Sequence, residues 1–221
     1  MDFNFEPVLE SWRFLADGLR ITVLLSLSVA ACSLIFGTLV ALARRYGPKW
    51  LRAVLIFYID SMRAIPVLVV LVWFYFAFPI ATGINLPPFL SALVALSLNL
   101  TAYVAEIVRA GIESVRPGQV RAGLALGMSM PQIVRKIILP QAFVRMMPAL
   151  GNVLTLTVKD TAIATVIAVP ELMRRADAVA AQTYAPVEVF TTVMFLYFCV
   201  IFPITRGVDM VYKRISFLGR S

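Results

Sequence analysis

Lys159, Asp160 and Thr161 set a cation, a carboxylate and a hydroxyl side by side in a strongly apolar chain. Opposite charges held away from water need opposite partners, so such a trio suits a zwitterion, which supplies both. A salt bridge at the membrane interface is the plainer reading. A straight helix from Pro140 rises about 1.5 Å per residue and would carry Lys159 toward its far end. Asn99, Thr101, Tyr103 and Glu106 form a second polar series, with Arg109 three residues beyond the glutamate. That spacing puts Glu106 and Arg109 on one helical face, as a structural pair near the end of a span. Asn99 fits two roles equally, a hydrogen bond to a neighbouring helix or a place on a solute path. Bond-making chemistry is not indicated. The chain has no histidine, no phosphate-binding Walker loop and no cluster of cysteines or carboxylates at metal spacing, so it offers no catalytic residue, no metal site and no cofactor site of its own.

These residues need helices to hold them. With 61% hydrophobic and 14% charged residues and a mean hydropathy of +0.88, the chain cannot hide its apolar surface in one water-soluble core. Its apolar runs are long and unbroken rather than alternating, which favours helices over barrel strands, because a spanning segment must satisfy its own backbone. The expectation is an all-α integral membrane protein forming one domain over residues 1–221. Cys32 and Cys199 lie inside apolar runs, as small hydrophobes. The formal charge of +8 is concentrated at the ends of these runs, the membrane pattern, and no basic stripe with interleaved aromatics supports a nucleic-acid partner.

Residues 1–17 read as a short interfacial helix with Trp12 at headgroup level. A first span covers Gly18 to Ala43, with Ser26, Ala30, Ser33 and Gly37 allowing close packing, and ends in the basic turn Arg44, Arg45, Lys49 and Arg52. The second span, about Ala53 to Phe78, contains Asp60, Arg63 and Pro66. The favoured reading is a helix extended beyond the bilayer and kinked at Pro66; the alternative is a buried ion pair. A third covers Phe89 to Val108, a fourth Phe143 to Ile163 and a fifth Val187 to Tyr212. Pro170 opens a short outer helix from Glu171 to Gln182, whose Arg174 and Arg175 either anchor it at the interface or meet an external partner. Segments 44–52, 109–139 and 213–221 hold twelve Lys/Arg against three at Arg13, Arg174 and Arg175. That bias gives five spans with the N-terminus outside and the C-terminus cytoplasmic.

Membrane packing alone does not explain residues 116–139. Gln119 to Leu126 has helix-forming composition, Gly127 supplies a left-handed closing position, and Ser129-Met130-Pro131-Gln132 has the form of a capping box opening a second helix that Pro140 closes. The expectation is two short helices at a fixed corner, on the cytoplasmic side.

Here the chain resembles the inner-membrane permease subunits of bacterial ABC importers for polar amino acids. Their cytoplasmic loop follows Gly-Gln-x-Glu-Ala-Ala-x-Ala-Leu-Gly, then about nine residues, then Ile-x-Leu-Pro-Gln-Ala. This chain reads Gly118-Gln119-Val120-Arg121-Ala122-Gly123-Leu124-Ala125-Leu126-Gly127, then Ile137-Ile138-Leu139-Pro140-Gln141-Ala142. Arg121 replaces the usual Glu and Gly123 the second Ala. Gly18-Leu19 with Thr22, Arg63-Ala64-Ile65-Pro66, and Ala102-Tyr103 through Glu106, Arg109, Gly111 and Ile112 extend the likeness. Lys159-Asp160-Thr161 resembles Lys-Asp-Thr-Ser-Leu, with Ala162 and Ile163 in the last two places. The strings that begin at Ile65-Pro66 and that end in Leu124-Ala125-Leu126-Gly127-Met128 are most similar to glutamate/aspartate permeases.

The resemblance implies a type I importer permease fold. It assigns Gln119, Arg121, Ala122, Gly123, Gly127, Ser129, Leu139 and Pro140 to helices that dock on an ATPase subunit, and Asn99, Lys159, Asp160 and Thr161 to a path for a polar amino acid. Its implied partners are ATPase subunits carrying ATP and magnesium, a second permease subunit, identical or paralogous, and an external solute-binding protein, all at the bacterial inner membrane. An ion-coupled secondary transporter is the alternative; it would need coupling charges near the midplane and an internal repeat, and neither is evident.

Overall fold

The computed structural model describes residues 4–216 and contains helices without strands among them. Arg220, counted in the C-terminal basic cluster, lies outside the described residues. A short helix α1 (Glu6–Glu10) leads into α2 (Trp12–Tyr46). At about 1.5 Å per residue α2 is roughly 52 Å long, well beyond a hydrocarbon core of about 30 Å. The interfacial helix read over residues 1–17 is therefore split: only Glu6–Glu10 stands apart, and Trp12 already belongs to the long helix.

The second hydrophobic stretch departs most from the expected kink. It forms two helices, α3 (Lys49–Ala64) and α4 (Val67–Thr82), set at 106° to each other. Pro66 forces the residue before it out of the helical region. Ile65 accordingly has φ −86° and ψ 130°, and Pro66 has ψ 133°. Two consecutive extended residues make a corner that no bent helix could make. Asp60 and Arg63 form no ion pair with each other among the described residues.

The bundle is centred on α5 (Pro88–Glu113), the most deeply packed span. Its alanines Ala92, Ala95, Ala102 and Ala105 are almost fully buried and let α2 approach closely. Ser26 and Ser33 of α2 donate to the carbonyls of Thr22 and Val29, so their hydroxyls stay satisfied in an apolar setting.

After α6 (Pro117–Ala125) comes α7 (Met130–Ile167). The sequence suggests that Pro140 closes a short helix, but α7 runs through it. Proline removes one N–H from the ladder, and the wider π turn at Val134–Ile138 reroutes the backbone just before it. The last residues of α7, Thr161–Ile167, tighten to a 3₁₀ helix. Finally α8 (Leu172–Thr183) and α9 (Pro186–Ile215) pack with α1 and the start of α2 in a second apolar cluster around Leu15, Leu172 and Val189. Among the described residues four helices are long and apolar enough to span a membrane, and five spans result when the α3–α4 pair counts as one.

Candidate functional site

The corner at Pro66 creates a concavity. Where α3 stops, its last carbonyls lack partners within the helix. Asn99 of α5 meets this need, its Nδ2 donating to the Met62 carbonyl at 2.7 Å. Tyr58 likewise donates to the Leu98 carbonyl at 2.6 Å. The break is thus pinned from α5, and Asn99 both packs between helices and faces open space. Beside it lies a cavity of about 280 Å³ bounded by Arg63, Pro66, Asn99, Tyr103 and Asp160. The Arg63 guanidinium lies 5.8 Å from the Tyr103 ring centroid, a distance at which the ring holds a cation by its quadrupole. The cavity therefore has two poles. Arg63 and the first turn of α4, whose opening amides point out of the helix, favour negative charge. Asp160 favours positive charge.

The adjacent trio Lys159-Asp160-Thr161 does not line one cavity. Successive residues of a helix point about 100° apart, and only Asp160 borders this cavity. Lys159 lines a groove with Phe198, Phe202 and Arg206 of α9, at the middle of that helix, not at its outer end as a helix counted from Pro140 implied. Thr161 is fully buried and donates to the Val158 carbonyl at 2.8 Å. Arg63 and Tyr103 are the residues that sequence reading does not assign to the site. Arg63 is visible as a charge in an apolar run, but its partner across the fold is not.

A second candidate surface lies at α6 and the start of α7. Gly127 has φ +74°; its N–H bonds the Leu124 carbonyl and that of Met128 bonds the Gly123 carbonyl, both at 3.0 Å. These two bonds make a complete Schellman closure. Ser129 and Gln132 then form the expected reciprocal capping box, the Ser129 N–H donating to Gln132 Oε1 at 2.8 Å. Gly123 faces Ile133 so closely that a Cβ would lie 3.0 Å from it. The usual Ala is replaced here by a residue that lets the helices meet. Arg121, Ala122, Gly127, Ser129, Leu139 and Pro140 are exposed, and Leu124, Leu126 and Met130 add exposed apolar side chains, Leu126 at 81%. Gln119 differs. It is half-buried, and its Oε1 accepts from Gln141 Nε2 at 2.5 Å, tying α6 to α7.

The Glu106–Arg109 pair is present and larger than expected. Glu106 accepts from Arg109 Nε at 3.0 Å and from Arg44 Nη1 at 2.8 Å, while Arg109 also reaches Glu113. Glu171, read only as part of an outer helix, is instead the fully buried N-cap of α8. It accepts from the amides of Met173 and Arg174 at 2.8 and 2.7 Å and from the Tyr197 hydroxyl at 3.3 Å. Burial pushes its carboxyl above the usual carboxylate range, against the pull of those donors. Arg175 is an anchor, donating to the Phe14 carbonyl at 2.9 Å and stacking over the Phe14 ring at 4.5 Å. Arg174 stays exposed. No group of three or more potential metal ligands occurs among the described residues.

The chain as a whole is similar to known proteins. The chain is 32% identical to the glutamine transport system permease protein GlnP of Escherichia coli (strain K12), over 98% of this chain and 97% of that one. It is 34% identical to the arginine transport system permease protein ArtQ of Bacillus subtilis (strain 168), over 93% and 94%. A solved amino acid ABC transporter containing histidines superposes with a TM-score of 0.90 at 32% identity, covering 97% of this chain and 100% of that one. The methionine transporter MetNI, in inward-facing form, shares the fold at a TM-score of 0.78 and 20% identity, covering 93% and 98%. The ion-coupled alternative is thereby set aside. Residues 33–217 match the binding-protein-dependent transport system inner membrane components, and the chain belongs to that family, as a permease subunit of an amino-acid ABC importer.

Proposed function

We propose that the Arg63–Asp160 cavity receives the imported amino acid, and that an acidic amino acid, glutamate or aspartate, is the preferred solute. The observation that carries this reading is the pairing of the two poles. Asp160 meets the ammonium group, while Arg63 and the first turn of α4 give two places for carboxylate. An acidic amino acid carries one ammonium and two carboxylates. Among the relatives, the glutamate/aspartate import permease protein GltK of Escherichia coli O6:H1 is 33% identical over 90% of this chain. Glutamine, named for another relative, would fill only one of the two anion positions.

The exposed α6–α7 corner docks on the ATPase in this reading, and closure of the ATPases on ATP moves α7 while an external binding protein supplies the solute. The N-terminus is outside and the C-terminus cytoplasmic. Uptake of labelled glutamate by the reconstituted complex, with unlabelled amino acids as competitors, tests the solute. Glutamate and aspartate should compete best, glutamine less and arginine least. Equal competition by arginine would overturn the acidic preference. Deleting residues 121–136 should abolish co-purification with the ATPase; an intact complex would overturn the docking assignment.

A further inference from the structure

The cluster around Glu106 and Arg109 borders a cavity of about 260 Å³, separate from the Arg63–Asp160 cavity. Arg44, Arg45, Arg52 and Arg109 converge on it, with Glu113 at its edge. The two carboxylates already have arginine partners: Glu106 takes Arg44 at 2.8 Å and Arg109, and Glu113 takes Arg109. Glu113 reaches Arg45 only at 4.0 Å. Arg52 donates through Nε and Nη2 to the carbonyls of Arg44 and Arg45 at 3.1 and 3.3 Å, which fastens the α2–α3 turn and brings its charge to the cavity. Four arginines against two carboxylates leave a surplus of two positive charges around the opening.

The remaining walls show what kind of anion fits. Ala41 and Ile56 are the apolar lining residues. Each lies about one helical turn deeper along its helix than Arg45 or Arg52. Tyr46 and Trp50, at the same turn, are 67% and 68% exposed, and Phe57 is 76% exposed. Aromatic side chains of this kind sit at the headgroup level of a bilayer. An arginine rim above an apolar floor, beside interfacial aromatics, matches a phosphate headgroup with its acyl chains below. We infer that the cavity between α2, α3 and α5 binds the phosphate headgroup of an anionic phospholipid in the cytoplasmic leaflet.

This inference rests on the proposed orientation, with the α2–α3 turn inside. The test uses the intact permease–ATPase complex, exchanged into mixed vesicles of phosphatidylglycerol and phosphatidylcholine, re-extracted, and weighed by native mass spectrometry for retained lipid. Wild type should retain phosphatidylglycerol over phosphatidylcholine, and saturating inorganic phosphate should not displace it. Arg45→Gln should weaken retention about five-fold and Arg45→Gln with Arg52→Gln about thirty-fold, the change expected for one and two basic residues near the surface. Arg45→Lys with Arg52→Lys keeps the charge needed for insertion but loses the planar fork, and should lie between wild type and the double glutamine variant. Lys213→Gln, a cytoplasmic charge outside the cavity, should change nothing. Undiminished phosphatidylglycerol in the double glutamine variant, or equal loss in Lys213→Gln, would overturn the site; full displacement by inorganic phosphate would make it a site for a soluble anion. ATPase co-purification is read in the same samples, so failure of the permease reading shows separately as a missing partner chain.

Discussion

The α6–α7 corner and the Pro66 cavity are built in opposite ways. At the corner, Gly123, Leu124, Gly127, Met128, Ser129 and Gln132 close a turn by hydrogen bonds spanning a few residues. At the cavity, Arg63, Asn99, Tyr103 and Asp160 arrive from three helices and from positions up to about a hundred residues apart. A surface that must fit a separate protein gains from a shape fixed locally. A site that opens and closes, as proposed for this cavity, gains from parts carried on separate helices, whose relative motion changes its geometry.

Substitutions can separate the two designs. The largest effect is expected from Asp160→Asn, which keeps the shape and removes the cation-binding pole. Uptake should fall roughly hundred-fold, the scale of deleting one partner of a desolvated charge pair, while the ATPase still co-purifies. Normal uptake would remove Asp160 from the path. Asn99→Ala leaves the Met62 carbonyl without its donor at the helix break, and should lower the stability of the purified complex by about 1–3 kcal/mol, read as a fall in thermal midpoint. Gly127→Val forces a branched residue into the left-handed region at a cost of about 1–2 kcal/mol. Its effect should appear in ATPase co-purification rather than in membrane insertion; unchanged affinity would show that the corner's shape is not what docks. Smallest of all, Lys159→Gln should change uptake by no more than about two-fold, as for a side chain away from the site. A loss matching that of Asp160→Asn would restore the trio as one unit.

The same contrast explains what could be read from the sequence. The Schellman closure, the capping box, the five hydrophobic stretches and the Glu106–Arg109 pair all depend on spacing within a single helix or turn, and spacing is written in the chain. The 106° break is only half legible. Pro66 marks an interruption, but the end of α3 is held to α5 by the Asn99–Met62 and Tyr58–Leu98 hydrogen bonds, which pair residues about forty positions apart. Lys159 and Thr161 read as path residues because neighbours in sequence look like neighbours in space; helical rotation separates them. Glu171 carries no local sign that Thr22 and Tyr197 would close over it. The long α7 reads as two pieces divided at Pro140 because a proline ordinarily ends a helix, and the π turn before it has no sequence signature of its own.

That unbroken helix gives the molecule a lever. Met130 stands beside the proposed docking corner, Asp160 borders the proposed solute cavity, and about 45 Å of helix joins them at roughly 1.5 Å per residue. Tilting such a rod by about five degrees at its base moves the other end by about 4 Å, a displacement larger than a hydrogen bond is long. In the proposed function, a small push from the motor subunit at the corner is thus magnified into a step large enough for Asp160 to release an ammonium group.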